Sequence, residues 1–303
     1  MKKAVIYSVV LCAISWLAAL AFQAAVGTPA PLGYALFGAA YMFLPLIVAL
    51  VMQLIERSTK DTLGMLRFRP RWSWLVGALL VPATLALCAL VGMLFAEPVS
   101  MAESLRMQIT AALGDTPEAT AALAEINKVP GWVMGVATII SGLLAGATIN
   151  AVVAFGEEYG WRYYLVSKLR GKKFLPAALF IGIVWGIWHA PMILLFGHNY
   201  PNDRIVGIGM MVILCILLGI IELYFVVKSG SVWPSAIIHG IFNGISGMTL
   251  LWFPTGSALT TGMTGVAGFV AMGIIIATLW LYDRKHDNIF ASTIEAKLNN
   301  END

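Results

Sequence analysis

The stretch FLPAALFIGIVWGIWHAPMILLF, Phe174 to Phe196, carries one ionisable side chain, His189, in an otherwise apolar run. At about 1.5 Å of rise per residue, a helix of this length crosses a hydrocarbon core of about 30 Å. Similar runs recur on both sides of it, near 4–26, 33–55, 75–96, 132–156, 205–227, 233–252 and 263–282, separated by short polar joints. The chain therefore reads as an all-α, polytopic transmembrane helical bundle of about eight spans. Composition agrees: of 303 residues 59% are hydrophobic and 12% charged, with a mean hydropathy of +0.83, outside the range of soluble domains. The opening Met1-Lys2-Lys3 imitates a signal peptide, but the apolar stretch behind it is longer than a signal core and more spans follow. The first span is read as retained.

Lysine and arginine accumulate on the cytoplasmic side of membrane proteins. With the N-terminus inside, all but three of the 19 basic residues fall in cytoplasmic segments; Arg106, Lys128 and Arg204 are the exceptions. An even number of spans returns the charged tail 283–303 to the same side, so both termini are expected in the cytoplasm. The net charge of +3 then reflects topology and points to no nucleic-acid partner. The basic joint 57–71 reads as an anchor to the lipid surface. Cys12, Cys88 and Cys215 lie inside spans without C-x-x-C spacing, and read as small buried hydrophobes.

One joint is long. Residues 97–131 hold Glu97, Glu103, Asp115, Glu118 and Glu125 against Arg106 and Lys128, giving an external acidic segment. Its pieces 101–113 and 117–127 read as short surface helices, split by Gly114-Asp115-Thr116-Pro117, that connect spans or cover a cavity mouth. The first three spans have no ionisable group in mid-membrane. This divides the chain into a scaffold, 1–131, a working core, 132–252, and a closing span with its tail, 253–303.

An ionisable group inside a span costs several kcal/mol unless it faces a polar interior. Such groups gather in the core: Glu157, Glu158 and Arg162, then His189, Glu222, and His239 with Asn243. On a helix Glu158 and Arg162 share a face in the favourable acid-before-base order, while Glu157 is turned about 100° away. Arg162 can hold Glu158 ionised and leave Glu157 to accept a proton from water; alternatively both carboxylates are interfacial and solvated. His189 follows Trp185 by four residues, and Pro191 behind it marks a kink. His239 and Asn243 are again four apart, with Gly240, Gly244 and Gly247 allowing close helix approach. That pair can bind a metal, donate to an oxyanion, or bond across helices. Polar faces on three spans are explained together by one intramembrane polar cavity. Helical rise puts Glu157 and His189 at similar depth, but His239 meets them only if KSGSVWPS, 228–235, enters the membrane or the helices tilt. A break or tilt is also expected near Gly156 or Gly160. Glu222, six residues before Lys228, is expected to snorkel to the inner interface.

In this order EEYGWR, WGIWH and HGIFN resemble the E-E-x-x-x-R, F-x-x-x-H and H-x-x-x-N motifs of the CAAX protease and bacteriocin-processing family of intramembrane endopeptidases, with Trp185 in place of phenylalanine. The resemblance covers roughly 130–250. It implies an endopeptidase of a bacterial inner membrane acting on membrane-associated or lipidated peptides or proteins, with Glu157 as the water-activating base, Glu158 and Arg162 as its support, and His189, His239 and Asn243 completing the centre. It leaves two chemistries. In one, glutamate and histidine work without a metal; in the other, Glu157, His189 and His239 ligate zinc. The H-E-x-x-H signature of zinc proteases is absent. Competing classes are a noncatalytic scaffold or bacteriocin-immunity factor, and a proton-coupled transporter, whose expected internal repeat is not found.

Overall fold

The computed structural model describes residues 1–58 and 64–300. Lys60 of the basic joint and the last residues of the tail, 301–303, lie outside the described residues. The fold is all-helical, and seven helices are long and apolar enough to cross a membrane: α1 (Lys2–Val26), α2 (Pro31–Ile55), α3 (Trp72–Gly92), α6 (Gly131–Leu169), α7 (Phe174–Phe196), α8 (Arg204–Ser229) and α11 (Val266–Asp283). Between α3 and α6 stand α4 (Met101–Leu113) and α5 (Pro117–Ile126). They begin where expected because Ser100 and Thr116 accept from the amides of Glu103 and Ala119 and satisfy otherwise free helix donors. The expected span 233–252 comes in two pieces, α9 (Trp233–Ile245) and α10 (Met248–Trp252). A short helix α12 (Ile294–Asn300) ends the described chain.

Contacts between joints fix which helix ends share a face. Glu56 lies against Lys3 at 3.6 Å and Lys168 at 2.5 Å, and Arg170 against Glu295 at 3.6 Å. Lys228 pairs with Asp287, and the Phe174 amide donates to the Ser292 carbonyl at 3.0 Å. Both chain ends therefore belong to one face. On the other face Tyr34 bonds His198 at 2.9 Å, the Tyr200 hydroxyl donates to the Thr264 carbonyl at 2.6 Å, and the Val99 amide to the Trp252 carbonyl at 2.8 Å. The last contact makes the α9–α10 pair an eighth crossing, broken at Ser246–Gly247. Burial acts to raise the Glu56 carboxyl, but the hydrogen bond and charge of Lys168, with Tyr164 and Lys3, hold it below its ordinary value.

The scaffold exposes large apolar side chains outward, as in Leu17, Leu36, Leu54 and Leu79, which suits a surface facing lipid. This is an integral membrane protein. Of the seven spans α8 has the most buried stretch, and the core packs around it. α6 does not break at Gly156 or Gly160. It stays continuous, and its irregularity is two stretches wound as π-helix, Gly146–Asn150 and Tyr159–Tyr164, flanking the glutamate pair. Such widened turns rotate the next length of helix about its axis and often sit at functional sites.

Backbone contact between α6 and α9 sets the site. A Cβ added at Gly240 would meet the Gly146 carbonyl oxygen at 2.4 Å and the Ala151 nitrogen at 2.5 Å; at Gly244 it would meet the Gly142 oxygen at 2.3 Å. Gly247, expected to join this contact, faces open space, because α9 has already ended. Gly240→Ala is expected to cost about 1–3 kcal/mol, since rigid backbone must move. A lowered unfolding temperature in detergent is the check, and an unchanged one would mean that the helices do not touch there.

Candidate active site

Glu157 lies on the face of α6 that meets a cavity of about 420 Å³. Its Oε2 accepts from the indole nitrogens of Trp185 at 2.7 Å and Trp161 at 3.3 Å. One carboxylate oxygen is thus fixed by two neutral donors, from α7 and from the next turn of α6. Glu158, one residue on, points away from the cavity into protein. Its Oε1 accepts from Arg162 at 3.0 Å and faces His239 Nδ1 at 2.9 Å. The expected division between the two glutamates is present: one on the cavity, one paired behind it.

The pair is part of a larger buried network. Arg162 also pairs with Glu222 from α8, and the side chains of Glu158, Arg162 and Glu222 are all 0% exposed. The guanidinium lies over the Trp185 ring, 4.2 Å from its centroid, a cation–π arrangement. The expectation that Glu222 snorkels to the interface is overturned. Its carboxylate stays inside because a buried cation with a second carboxylate partner is available there, and the six residues to Lys228 keep it well below the helix end.

His189 Nδ1 is 2.9 Å from the Trp185 carbonyl oxygen. A carbonyl only accepts, so Nδ1 carries the proton, and in the neutral ring Nε2 keeps a free lone pair. Beside it His198 stacks nearly parallel, ring centroids 6.1 Å apart, and burial pushes its imidazole down to about 4. His198 lies beyond the end of α7 and is neutral near pH 7. His239 meets Glu157 on the same cavity, and the joint before α9 is packed against the 65–67 segment. Ser231 and Trp233 donate to the Arg67 and Leu66 carbonyls at 3.0 and 2.9 Å, and the Val232 amide to Met65 at 2.9 Å. With Nδ1 turned to Glu158, His239 presents its other nitrogen, and both it and Asn243 line the cavity.

Glu157, His189, His239 and Asn243 therefore come together on one cavity, with Glu158 and Arg162 behind it. Residues not singled out in the sequence also line it: Asn150, Tyr34, Tyr41 and His198. Asn150 had a signal, being a polar residue in an apolar run two helical turns before Glu157. The tyrosines had none, since they belong to the helix read as scaffold. The short helices α4 and α5 contribute nothing to this lining; they connect spans.

Two donor sets bear on a metal. The tightest among the described residues is Glu158, Glu222 and His239, within 4.8 Å of one another. Arg162 already supplies the positive charge between those carboxylates, so a second cation does not fit there. The ligand atoms of Glu157, His189 and His239 are not gathered that closely, although each imidazole is oriented through Nδ1 by an acceptor and keeps its other nitrogen for a metal.

Residues 138–245 match the model of the family described as Type II CAAX prenyl endopeptidase Rce1-like. The matched segment runs from the first half of α6 to the end of α9 and holds all seven residues of the three motifs, with Glu222. That family is one of proteases. No curated protein matches the chain.

Proposed function

We propose, from the match of this segment to a protease family and from the cavity built on it, that the protein is an intramembrane endopeptidase hydrolysing membrane-associated or lipidated peptide substrates with a water activated by Glu157. The observation that carries the reading is the pairing of roles at the cavity. Glu157 is held through one oxygen by two indoles, while His239 is held from behind by the Glu158–Arg162–Glu222 network.

Hydrolysis needs a base for water and donors for the oxyanion. The free oxygen of Glu157 takes the proton of a water lying against the scissile carbonyl, and the hydroxyl adds to the carbonyl carbon. The negative charge that develops on the carbonyl oxygen meets the Asn243 amide and the Nε2–H of a protonated His239, whose charge Glu158 stabilises through Nδ1. As the C–N bond breaks, the proton held by Glu157 passes to the leaving amine, which regenerates the carboxylate. His189, with its lone pair on Nε2, orients the attacking water by accepting its second proton in a hydrogen bond. The buried indoles of Trp161, Trp185 and Trp188 shield Glu157 on its protein side, which lowers the local dielectric there.

Where a divalent metal is bound, Glu157, His189 and His239 would hold it, and it would lower the pKa of a bound water to about 7. The positions of Asn243 and of the Glu158–Arg162 support serve either chemistry. The substrate is taken to sit among membrane lipid, with the cavity as its place of cleavage.

Asn243→Ala is the test that separates oxyanion stabilisation from substrate binding. Turnover is expected to fall about 10²–10³-fold with little change in KM, the size of effect seen when an oxyanion donor is removed. Steady-state cleavage of a quenched peptide in nanodiscs reads both constants. A rise in KM at unchanged turnover would assign Asn243 to binding and leave the oxyanion without its amide donor.

A further inference from the structure

The cavity is closed at one end and open at the other. From Glu157 its lining runs outward along Tyr34 and Ala35 of α2 and Asn243 and Ser246 of α9, and reaches His198 and Asn199 in the loop behind α7. All of these lie between Glu157 and the face that carries α4, α5 and the 197–203 loop. Toward the face of the termini, the wholly buried Glu158, Arg162 and Glu222 form the cavity's floor. Behind them the Met65–Arg67 segment is bonded to Ser231, Val232 and Trp233. No residue of the terminal face lines the cavity. The segments that meet on that face hold most of the chain's lysines and arginines in the sequence, with Arg106, Lys128 and Arg204 on the other side, and by the bias of basic residues toward the cytoplasm it is the cytoplasmic one.

Resting on the reading of this cavity as a proteolytic site, we propose that the substrate reaches Glu157 from the extracytoplasmic face, as an exported or membrane-tethered polypeptide. Among the described residues lining the cavity, no lysine, arginine or aspartate occurs, and the polar groups beyond the catalytic ones are amides and hydroxyls, from Asn150, Asn199, Ser246, Tyr34 and Tyr41, with the neutral imidazole of His198. Such a lining hydrogen-bonds an extended backbone. It offers no lysine or arginine to receive a free C-terminal carboxylate. The favoured cut is therefore within a neutral stretch of chain, and lipidated C-termini displayed in the cytoplasm are on the wrong side of the floor.

The test measures access without measuring cleavage. In a chain carrying Cys12→Ala, Cys88→Ala and Cys215→Ala, single cysteines are placed by Asn199→Cys at the mouth, Ser246→Cys inside the cavity, and Lys172→Cys on the face of the termini. Sealed right-side-out vesicles are treated with a membrane-impermeant maleimide. Labelling of Asn199→Cys and Ser246→Cys in sealed vesicles, with Lys172→Cys labelled only after permeabilisation, is expected. Labelling of Ser246→Cys only after permeabilisation, or from neither side, overturns the proposal, as does external labelling of Lys172→Cys. The exposed Asn199→Cys keeps the test decisive if Ser246→Cys does not fold, since its labelling from the inner side alone is equally fatal. Repeating the labelling with Glu157→Gln separates the two claims. An unchanged labelling pattern beside undiminished cleavage by this variant would remove the Glu157-activated water and leave the direction of access standing.

Discussion

Glu157→Gln is expected to lower peptide cleavage by about 10²–10⁴-fold, the range that one general base contributes, while the protein stays folded. The substitution keeps the shape of the side chain and an oxygen that accepts from the Trp185 and Trp161 indoles, now held at 2.7 and 3.3 Å. It removes the group that takes the proton from water. Because Glu157 stands outside the ion-pair network, its loss leaves no buried charge unpaired, so chromatographic behaviour and unfolding temperature should match those of the parent. Single-turnover cleavage isolates the chemical step from product release. Undiminished cleavage by the variant would remove Glu157 from the chemistry.

Arg162→Ala is expected to act on stability first. It leaves the carboxylates of Glu158 and Glu222, both 0% exposed, facing each other without the guanidinium between them. Breaking a buried pair by removal of one partner costs about 3–5 kcal/mol, because the remaining charge is uncompensated; here two carboxylates remain. The cation over the Trp185 ring is lost as well, and with it a contact that holds the indole donating to Glu157. Thermal unfolding in detergent should shift sharply down and cleavage should fall with it. The double variant Arg162→Ala with Glu222→Gln should recover part of the stability, since one of the stranded charges is gone. An unfolding temperature equal to the parent's in Arg162→Ala would contradict the structural role of the network.

Much of this arrangement is legible in the chain. Phe174–Phe196 is bounded to the residue, since Lys172-Lys173 before it and Gly197-His198 after it mark sharp changes in polarity. The four-residue spacings Glu158–Arg162 and His239–Asn243 correctly place each pair on one face, because helical geometry leaves little choice. Gly240 and Gly244 announce the contact with α6 through their lack of a side chain. The features that escape a sequence reading depend on the partner that an element meets. Glu222 looks like an interfacial group because nothing in its own helix says that Arg162 lies opposite. The length of α6 is underestimated because the run Tyr159–Leu169, although helical, is polar enough to read as a joint; Tyr159, Tyr164 and Lys168 in it are satisfied by Gln53 of α2 and by Glu56 just past its end. The break at Ser246–Gly247 leaves α9 too short to count as a spanning helix, and the packing of the joint before it against residues 65–67 has no local sign in the chain. His198 and Tyr34 are brought to the cavity by contacts between spans far apart in sequence, for which one chain carries no local sign.

The most direct measurement of the central claim is cleavage in water enriched in oxygen-18. The protein and its Glu157→Gln variant, each in nanodiscs, are incubated with a quenched peptide library that includes prenylated peptides, and the products are read by mass spectrometry. Products of the parent bearing one heavy oxygen in the new carboxylate, and their near absence from the variant, are expected of hydrolysis by a water that Glu157 activates. Equal yields of the same labelled products from both proteins would contradict it.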